Sequence, residues 1–135
     1  MGRRNQPDRK LTPLETIIMN MLWDESPAAV KQVQERLRAI KPMAYSTVLT
    51  MMRILRDKGF LTSEREGRAD QYCPTVTREE VGRRSLGEVI DSFFSGSAQA
   101  LVSQLLNGQA LSDEELTAIQ EQLNKAMSQR KGGGE

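Results

Sequence analysis

Residues 45–74 read YSTVLTMMRILRDKGFLTSEREGRADQYCP, and their hydrophobic pattern changes at Gly59. Before this glycine, apolar residues recur at the spacing of a helix, which we expect to cover residues 46–58. After it, apolar and polar residues alternate in two short segments, 60–65 and 71–74, as they do in strands. Gly59 suits the left-handed conformation that ends many helices. The stretch therefore predicts a helix followed by a β-hairpin.

Two further helices are predicted upstream of this stretch. Thr12 and Glu15 form a capping box at the start of the first. The second is expected over residues 29–40, with Ile40 on its buried face, and Pro42 ends it because the residue before a proline avoids the helical region. Three helices followed by a hairpin form a winged helix, which is a helix-turn-helix with a β-ribbon attached.

The rest of the chain is predicted to be helical again, so the fold class is mainly α with one small hairpin. Capping boxes at residues 77–80 and 112–115 open two helices, and Ser97 opens a shorter one between them. We expect four segments: a disordered basic tail over residues 1–10, a winged-helix DNA-binding domain over 11–75, a helical dimerisation domain over 76–128 and a disordered tail over 129–135.

Composition argues against an enzyme. The chain has no histidine, which removes Ser-His-Asp and Cys-His catalysis and any His-ligated metal. Cys73 is the one cysteine, so there is no intrachain disulfide and no thiolate cluster, and we interpret it as a small core residue. No Gly-rich phosphate motif is present, and no cofactor is predicted. Without a membrane-length apolar run or a signal peptide, we expect a cytoplasmic protein that does not insert into membranes.

The net charge of +1 hides an asymmetry between the two halves of the chain. Residues 1–75 hold 13 Lys and Arg against 9 Asp and Glu, a net +4, whereas residues 76–135 hold 6 against 9, a net −3. A basic front half and an acidic back half indicate that only the front half meets a polyanion. Chance imbalance in short segments is the competing explanation.

The third predicted helix is the second helix of the helix-turn-helix, and its N-terminal half is expected to enter the DNA major groove. Hydroxyl and guanidinium groups on its outer side, above all Arg53, can contact bases or phosphates. Leu49 is the apolar member of this face, and we favour contact with a thymine methyl over a simply exposed leucine. Tyr45 lies near the helix start, where phosphate contacts are common, although packing explains it equally well.

In the wing, the hairpin loop is expected over residues 66–70, with Arg65 beside it and Arg68 near its tip. An arginine there can reach a phosphate or the minor groove, and the alternative is a solvated side chain balanced by neighbouring carboxylates. The predicted DNA-contacting residues are Tyr45, Ser46, Thr47, Leu49, Thr50, Arg53, Arg65 and Arg68. The competing function is a winged-helix module that binds protein and does not bind DNA specifically.

The back half carries more apolar surface than a small appendage can bury, so we expect a second copy of the chain to cover it. A two-fold dimer also places two recognition helices on a palindromic site. The alternative is that these residues fold back on the winged domain. The predicted dimerisation residues are Val89, Ile90, Phe93, Phe94, Leu101, Val102, Leu105, Leu106, Leu116, Ile119 and Leu123.

These segments resemble the penicillinase and methicillin-resistance repressor family of winged-helix regulators over residues 11–127. The resemblance is carried by LTPLETIIMNMLWDESPAAVKQVQERL, YSTVLTMMRILRDKGFL and EREGRADQYCPTV, and FFSGSAQALVSQLL and LSDEELTAIQEQLNKA look like the family's dimerisation helices. It implies a homodimeric bacterial repressor that binds double-stranded DNA at a palindromic operator. It also places residues 46–53 at the family's recognition-helix positions and Gly67 and Arg68 at its wing tip.

The resemblance carries two regulatory implications. Family members encoded beside a membrane sensor metallopeptidase are inactivated by cleavage in the dimerisation domain. The scissile Asn-Phe pair of the family falls at Gln104 and Leu105 here, and this mismatch argues against cleavage at that bond. Copper-responsive relatives end in paired CxC motifs, which this chain lacks, so no copper switch is expected.

Overall fold

The computed structural model describes residues 10–133. Over this range the chain forms six helices and one antiparallel hairpin: α1 (Pro13–Asp24), α2 (Val30–Leu37), α3 (Tyr45–Asp57), β1 (Leu61–Glu66), β2 (Ala69–Pro74), α4 (Arg78–Phe93), α5 (Ala98–Asn107) and α6 (Asp113–Gly133). The chain divides into two compact units, the first ending at Arg84 and the second beginning at Ser85. No helix of residues 10–133 is long and apolar enough to cross a membrane.

The core of the first unit lies where the first three helices meet the hairpin. Two backbone hydrogen bonds between Ala28 and Tyr72, of 3.0 and 2.8 Å, tie the segment before α2 to β2. The predicted winged helix is therefore confirmed. Its buried apolar residues are Ile18, Met19, Leu22, Ala28, Val30, Val33, Leu37, Val48, Met52, Leu55, Phe60, Leu61 and Tyr72.

The predicted helix boundaries rest on local hydrogen bonds that the structure contains. In each of the three capping boxes, the hydroxyl of the first residue accepts from the backbone N–H of the glutamate three residues later. The glutamate side chain in turn accepts from the backbone N–H of the first residue. After α3, Gly59 adopts a φ of 96°, as a helix-ending glycine should. These predictions are confirmed.

The prediction for α2 is wrong at its C-terminal end. The helix ends at Leu37, and Ile40, expected in the core, is 62% exposed. The backbone N–H groups of Ile40 and Lys41 both donate to the Leu37 carbonyl oxygen, which closes a turn and takes Ile40 out of the helical period. The Gln34 side chain also donates to the carbonyl oxygen of Met43 at 3.1 Å, so the end of α2 is bound to the turn before α3.

The predicted five-residue loop of the wing is also wrong. Both strands extend further than expected, and Glu66 pairs with Ala69, which leaves only Gly67 and Arg68 as the turn. Gly67 has a φ of 66°, the conformation that the first central residue of a II′ hairpin turn requires. Because the turn has only two residues, the two strands remain paired up to the turn. Arg65 therefore lies within β1, opposite Asp70.

The ends of the predicted segments shift as well. Helix α6 continues through Gly133, where a disordered tail is expected from residue 129. Arg130 and Lys131 lie in its last turn, and cations there are favourable to the helix dipole. The first unit includes the start of α4 up to Arg84, beyond the expected boundary at residue 75. Residues 1–9 of the predicted basic tail, and residues 134–135, lie outside the described residues.

One buried ion pair joins the first and third helices. The Lys58 ammonium, just after α3, lies 2.8 and 2.9 Å from the two carboxylate oxygens of Glu15 in α1, and Glu15 is 4% exposed. Burial by itself raises the pKa of Glu15. The hydrogen bond from Lys58 and the backbone N–H of Thr12 outweigh it, so the pKa lies below the ordinary 4.5. Glu15 therefore both caps α1 and fixes the end of α3.

The lowered pKa of Glu15 makes its stabilising effect depend on pH. A carboxylate with a depressed pKa stabilises the folded state above its ordinary value of 4.5, and that stabilisation is lost as the pH falls through the lower folded-state pKa. We expect the wild type to be more stable than Glu15→Gln at neutral pH, and the difference to shrink in acid below 4.5. Urea unfolding at a series of pH values, followed by Trp23 fluorescence, measures it. A difference that does not change with pH would contradict the assignment.

Candidate nucleic-acid interface

Helix α3 presents an exposed polar surface at its N-terminal half. Ser46, Thr47, Thr50 and Arg53 are all exposed, so these side chains are available to a partner. The N-cap residue, Ala44, offers no side-chain oxygen to the N–H groups of the first turn. Those donors, at the positive end of the helix dipole, are suited to a phosphate oxygen.

The two remaining residues of the predicted face differ in exposure. Tyr45 is the first residue of α3, and its side chain is about half exposed, so it does not belong to the core. Leu49 is half-buried and packs against the core of the first unit. Leu49 lies at the border between the buried and exposed sides of α3. One part of its side chain therefore packs against the core, and the other part is open to solvent.

The two arginines of α3 have different environments. Arg56 donates to the Ser63 hydroxyl at 3.1 Å and lies 3.9 Å from the Asp57 carboxylate, so it connects α3 to the wing. Arg53 forms no ion pair with any residue between 10 and 133, and it is exposed. A guanidinium in this state keeps all its donors for an external acceptor. The sequence reasoning missed the role of Arg56, which depends on a contact with β1.

The wing separates its two predicted arginines in the same way. Arg65 Nη1 lies 3.5 Å from the Asp70 carboxylate across the hairpin, which partly neutralises it. Arg68 is at the tip of the two-residue turn and is exposed. Of the two, Arg68 is better placed to bind a phosphate. The alternative considered from the sequence, an arginine whose charge is balanced by a neighbouring carboxylate, therefore applies to Arg65.

Two exposed lysines, one in α2 and one after it, are further candidates for phosphate contacts and were not selected from the sequence. Lys41 lies in the turn before α3, and Lys31 lies in the first turn of α2; both are exposed. Neither forms an ion pair within the described part of the chain, whereas Arg36 pairs with Glu25 and Arg38 with Glu35. The available signal was the position of Lys41 between the two helices of the helix-turn-helix, where side chains reach the DNA backbone.

The second unit has no core in a single chain. From Ser85 to residue 132 no residue is buried. The predicted dimerisation residues all remain exposed or half-buried, and Phe93 is 78% exposed. Leu86 and Met127, which the sequence reasoning did not select, extend the same kind of surface. An isolated protein seldom leaves so much apolar surface uncovered.

No group of His, Cys, Asp and Glu residues in the range 10–133 is arranged to hold a metal ion. Cys73 is a free, half-buried thiol, with its sulfur 3.8 Å from the Ser26 hydroxyl oxygen.

The chain is similar to known bacterial regulators. It is 35% identical over 96 residues to the transcriptional regulator BlaI of Mycobacterium tuberculosis, and the aligned segment covers 67% of each protein. It is 22% identical over 116 residues to the methicillin resistance regulatory protein MecI of Staphylococcus aureus, covering 86% of this chain and 94% of MecI. The penicillinase repressor of Bacillus licheniformis is 23% identical over 122 residues, covering 90% and 95%.

These relatives are described as a transcriptional regulator, a resistance regulatory protein and a repressor. The sequence model of one family, described as penicillinase repressor, matches residues 11–125, nearly the whole described range. The resemblance noted from the sequence motifs is confirmed, and the chain belongs to the penicillinase repressor family.

Proposed function

We propose that the protein is a transcriptional repressor that binds a palindromic DNA operator as a homodimer. The observation that carries this proposal is the outward face of α3, where exposed hydroxyls and the exposed Arg53, which has no ion pair within residues 10–133, lie on the second helix of a helix-turn-helix. The family assignment supports it, since the relatives named above are regulators and repressors.

Helix α3 is the element that enters the major groove in this proposal. The guanidinium of Arg53 forks to guanine or to a phosphate oxygen, and Thr50 bonds a base edge or phosphate beside it. Ser46 and Thr47, together with the uncapped N–H groups of the first turn, bind the backbone at the groove edge. The outward edge of Leu49 contacts a thymine methyl, and Tyr45 binds phosphate.

The wing and α2 supply the rest of the binding free energy through phosphate contacts. Arg68 reaches the backbone or minor groove beside the recognition site, and Arg65 adds a weaker contact because Asp70 neutralises it in part. Lys31 in α2 and Lys41 in the turn before α3 bind further phosphates. Contacts of this kind release counterions, so affinity should fall steeply with salt.

The second unit is the dimerisation element. In the proposed dimer, the partner covers its exposed apolar side chains, and burial of this apolar area drives association. A two-fold dimer places the two α3 helices on half-sites about one helical turn apart. Separation of the protomers would release the DNA, because one half-site supplies too few contacts to hold it.

Proteolysis is one way to separate the protomers. The Gln104–Leu105 bond lies in α5, within the apolar region, and differs from the family's Asn-Phe pair; a cut elsewhere in this region would equally divide the dimerisation unit. A membrane sensor metallopeptidase as the protease remains a prediction from the family. Cleavage at this bond would need α5 to unfold locally, since a helix does not present an extended segment to a protease.

One combined experiment tests the proposal. The purified full chain is mixed with random genomic fragments, the bound fragments are sequenced, and the mass in solution is measured by sedimentation equilibrium. A recovered palindrome and a dimeric mass are expected. A monomer that enriches no fragment even at low salt would contradict the proposal and favour the protein-interaction module.

The recovered operator allows a direct test of Arg53. We expect Arg53→Ala to weaken operator binding by about 1–3 kcal/mol for each recognition helix, and to relax the preference at one base pair of each half-site. The fold and the dimer should be unchanged, since Arg53 is exposed and has no ion pair within residues 10–133. Fluorescence anisotropy with the operator and its single-base variants measures both effects. Arg130→Ala, in α6, is the matched control, and equal affinities of the two variants would remove Arg53 from the reading face.

A further inference from the structure

The segment between the wing and α4 is tightly bound to the winged helix. The Trp23 indole N–H in α1 donates to the Val76 carbonyl oxygen at 2.8 Å, and the Thr75 N–H donates to the Phe60 carbonyl oxygen at 2.9 Å. The Thr77–Glu80 capping box then starts α4 directly. No free linker therefore separates the reading surface from α4.

Arg78, the first residue of α4, joins this helix to the end of α1. Its Nε donates to the Asn20 side-chain oxygen at 3.0 Å, and its Nη2 donates to the Asn20 carbonyl oxygen at 3.1 Å. The same Nη2 lies 2.7 Å from the Asp24 carboxylate. The guanidinium also lies over the Trp23 ring, 5.6 Å from its centre.

The contacts of Arg78 are more numerous than those of a single surface ion pair. A single exposed pair contributes little to stability, but Arg78 binds two side chains, one carbonyl and one ring at the same place. About two to four turns of helix beyond it, α4 carries the exposed apolar residues Leu86, Val89 and Phe93. Within the first unit, these contacts hold the first turn of α4 against α1, and α4 continues from there to Phe93.

We propose that Arg78 is a positioning residue that determines which half-site spacing the repressor accepts. This inference rests on the proposed function, in which α4 links each reading surface to the dimer. In this proposal, holding the first turn of α4 against α1 restricts the separations and rotations that the two recognition helices can adopt in the dimer. Each inserted base pair moves a half-site by about 3.4 Å and rotates it by about 35°. Two recognition helices with restricted separation and rotation cannot bind both half-sites after this change.

The test uses the full chain and a series of operators. The palindrome recovered by genomic selection is compared with versions that carry one or two inserted or deleted central base pairs, and with a single half-site. Arg78→Met removes the contacts and one positive charge. Arg83→Met removes the same charge from an exposed position further along α4 and is the matched control. Asp24→Asn loosens the same cluster but removes a negative charge.

The proposal predicts a pattern across these proteins. The wild type and Arg83→Met should lose affinity by roughly tenfold or more on a one-base-pair insertion. Arg78→Met and Asp24→Asn should both show a much smaller loss, with weaker binding to the original spacing. If only net charge mattered, Arg78→Met would weaken binding to every duplex and Asp24→Asn would strengthen it. Half-site affinity should be equal in Arg78→Met and Arg83→Met, which excludes damage to the reading surface.

Two results would overturn the inference, and they differ. If the wild type depends on spacing but Arg78→Met follows Arg83→Met throughout, Arg78 has no positioning role and the proposed function stands. If the wild type is monomeric or binds all spacings equally, the dimeric repressor itself is wrong, and the positioning role fails with it.

Discussion

Replacing Phe93 with Asp is expected to convert the dimer into a monomer and to remove tight binding to the full operator. Phe93 is 78% exposed in the single chain, so the substitution breaks no intrachain packing. Burying a phenylalanine contributes about 1.5–3 kcal/mol, and two copies meet in a dimer, so the dissociation constant of the dimer should rise by roughly 10²–10⁴-fold. The introduced charge increases the effect, because it would have to be buried unpaired.

Sedimentation equilibrium over a range of protein concentrations measures this prediction directly. Ser92→Asp is the control, because it adds the same charge at the neighbouring exposed position on another side of α4. Since the second unit buries no residue by itself, we also expect Phe93→Asp to lower the helix content seen by circular dichroism. A variant that remains a dimer with the wild-type dissociation constant would show that the face around Phe93 is not the interface.

Replacing Lys58 with Met should strongly destabilise the first unit. The substitution leaves the Glu15 carboxylate buried without its cation, and losing one partner of a buried pair costs about 3–5 kcal/mol. The Lys58 side chain is 16% exposed, which places the expected loss toward the lower end of this range, about 3 kcal/mol. Urea unfolding at neutral pH and fixed protein concentration, followed by the fluorescence of Trp23, the one tryptophan, measures it.

Two further variants separate the ion pair from general damage. Lys31→Met is the control, because Lys31 is an exposed lysine with no ion pair in the described part of the chain, and it should change stability little. The double variant Glu15→Met and Lys58→Met removes both charges, so it should recover part of the loss. If Lys58→Met is as stable as Lys31→Met, the pair does not stabilise the fold.

The helix starts were predictable because their causes are local. Each capping box is formed by residues three apart, and these hydrogen bonds form with little dependence on the rest of the fold. The same holds for Gly59, whose positive φ needs no tertiary contact. The exposed arginines of α3 and the wing were also found from the sequence, since helical and hairpin geometry place them outside the core.

Errors arose where a residue's environment depends on distant parts of the chain. Ile40 has the right spacing for α2, but the turn to α3 closes at Leu37 and exposes it. The hairpin loop is shorter than its polar composition suggests, because pairing with the opposite strand continues to Glu66. Arg65 was grouped with Arg68, and only the paired strands show that Asp70 neutralises it in part.

The sequence by itself determined the order of elements, the winged helix and the family, because periodicity, caps and motif spacing are properties of neighbouring residues. Only the tertiary structure decided which charges are already paired and which remain for DNA. The pairs of Lys58 with Glu15 and of Arg78 with Asp24 join residues 43 and 54 positions apart. Such contacts depend on how helices pack, and no local pattern in the chain encodes them.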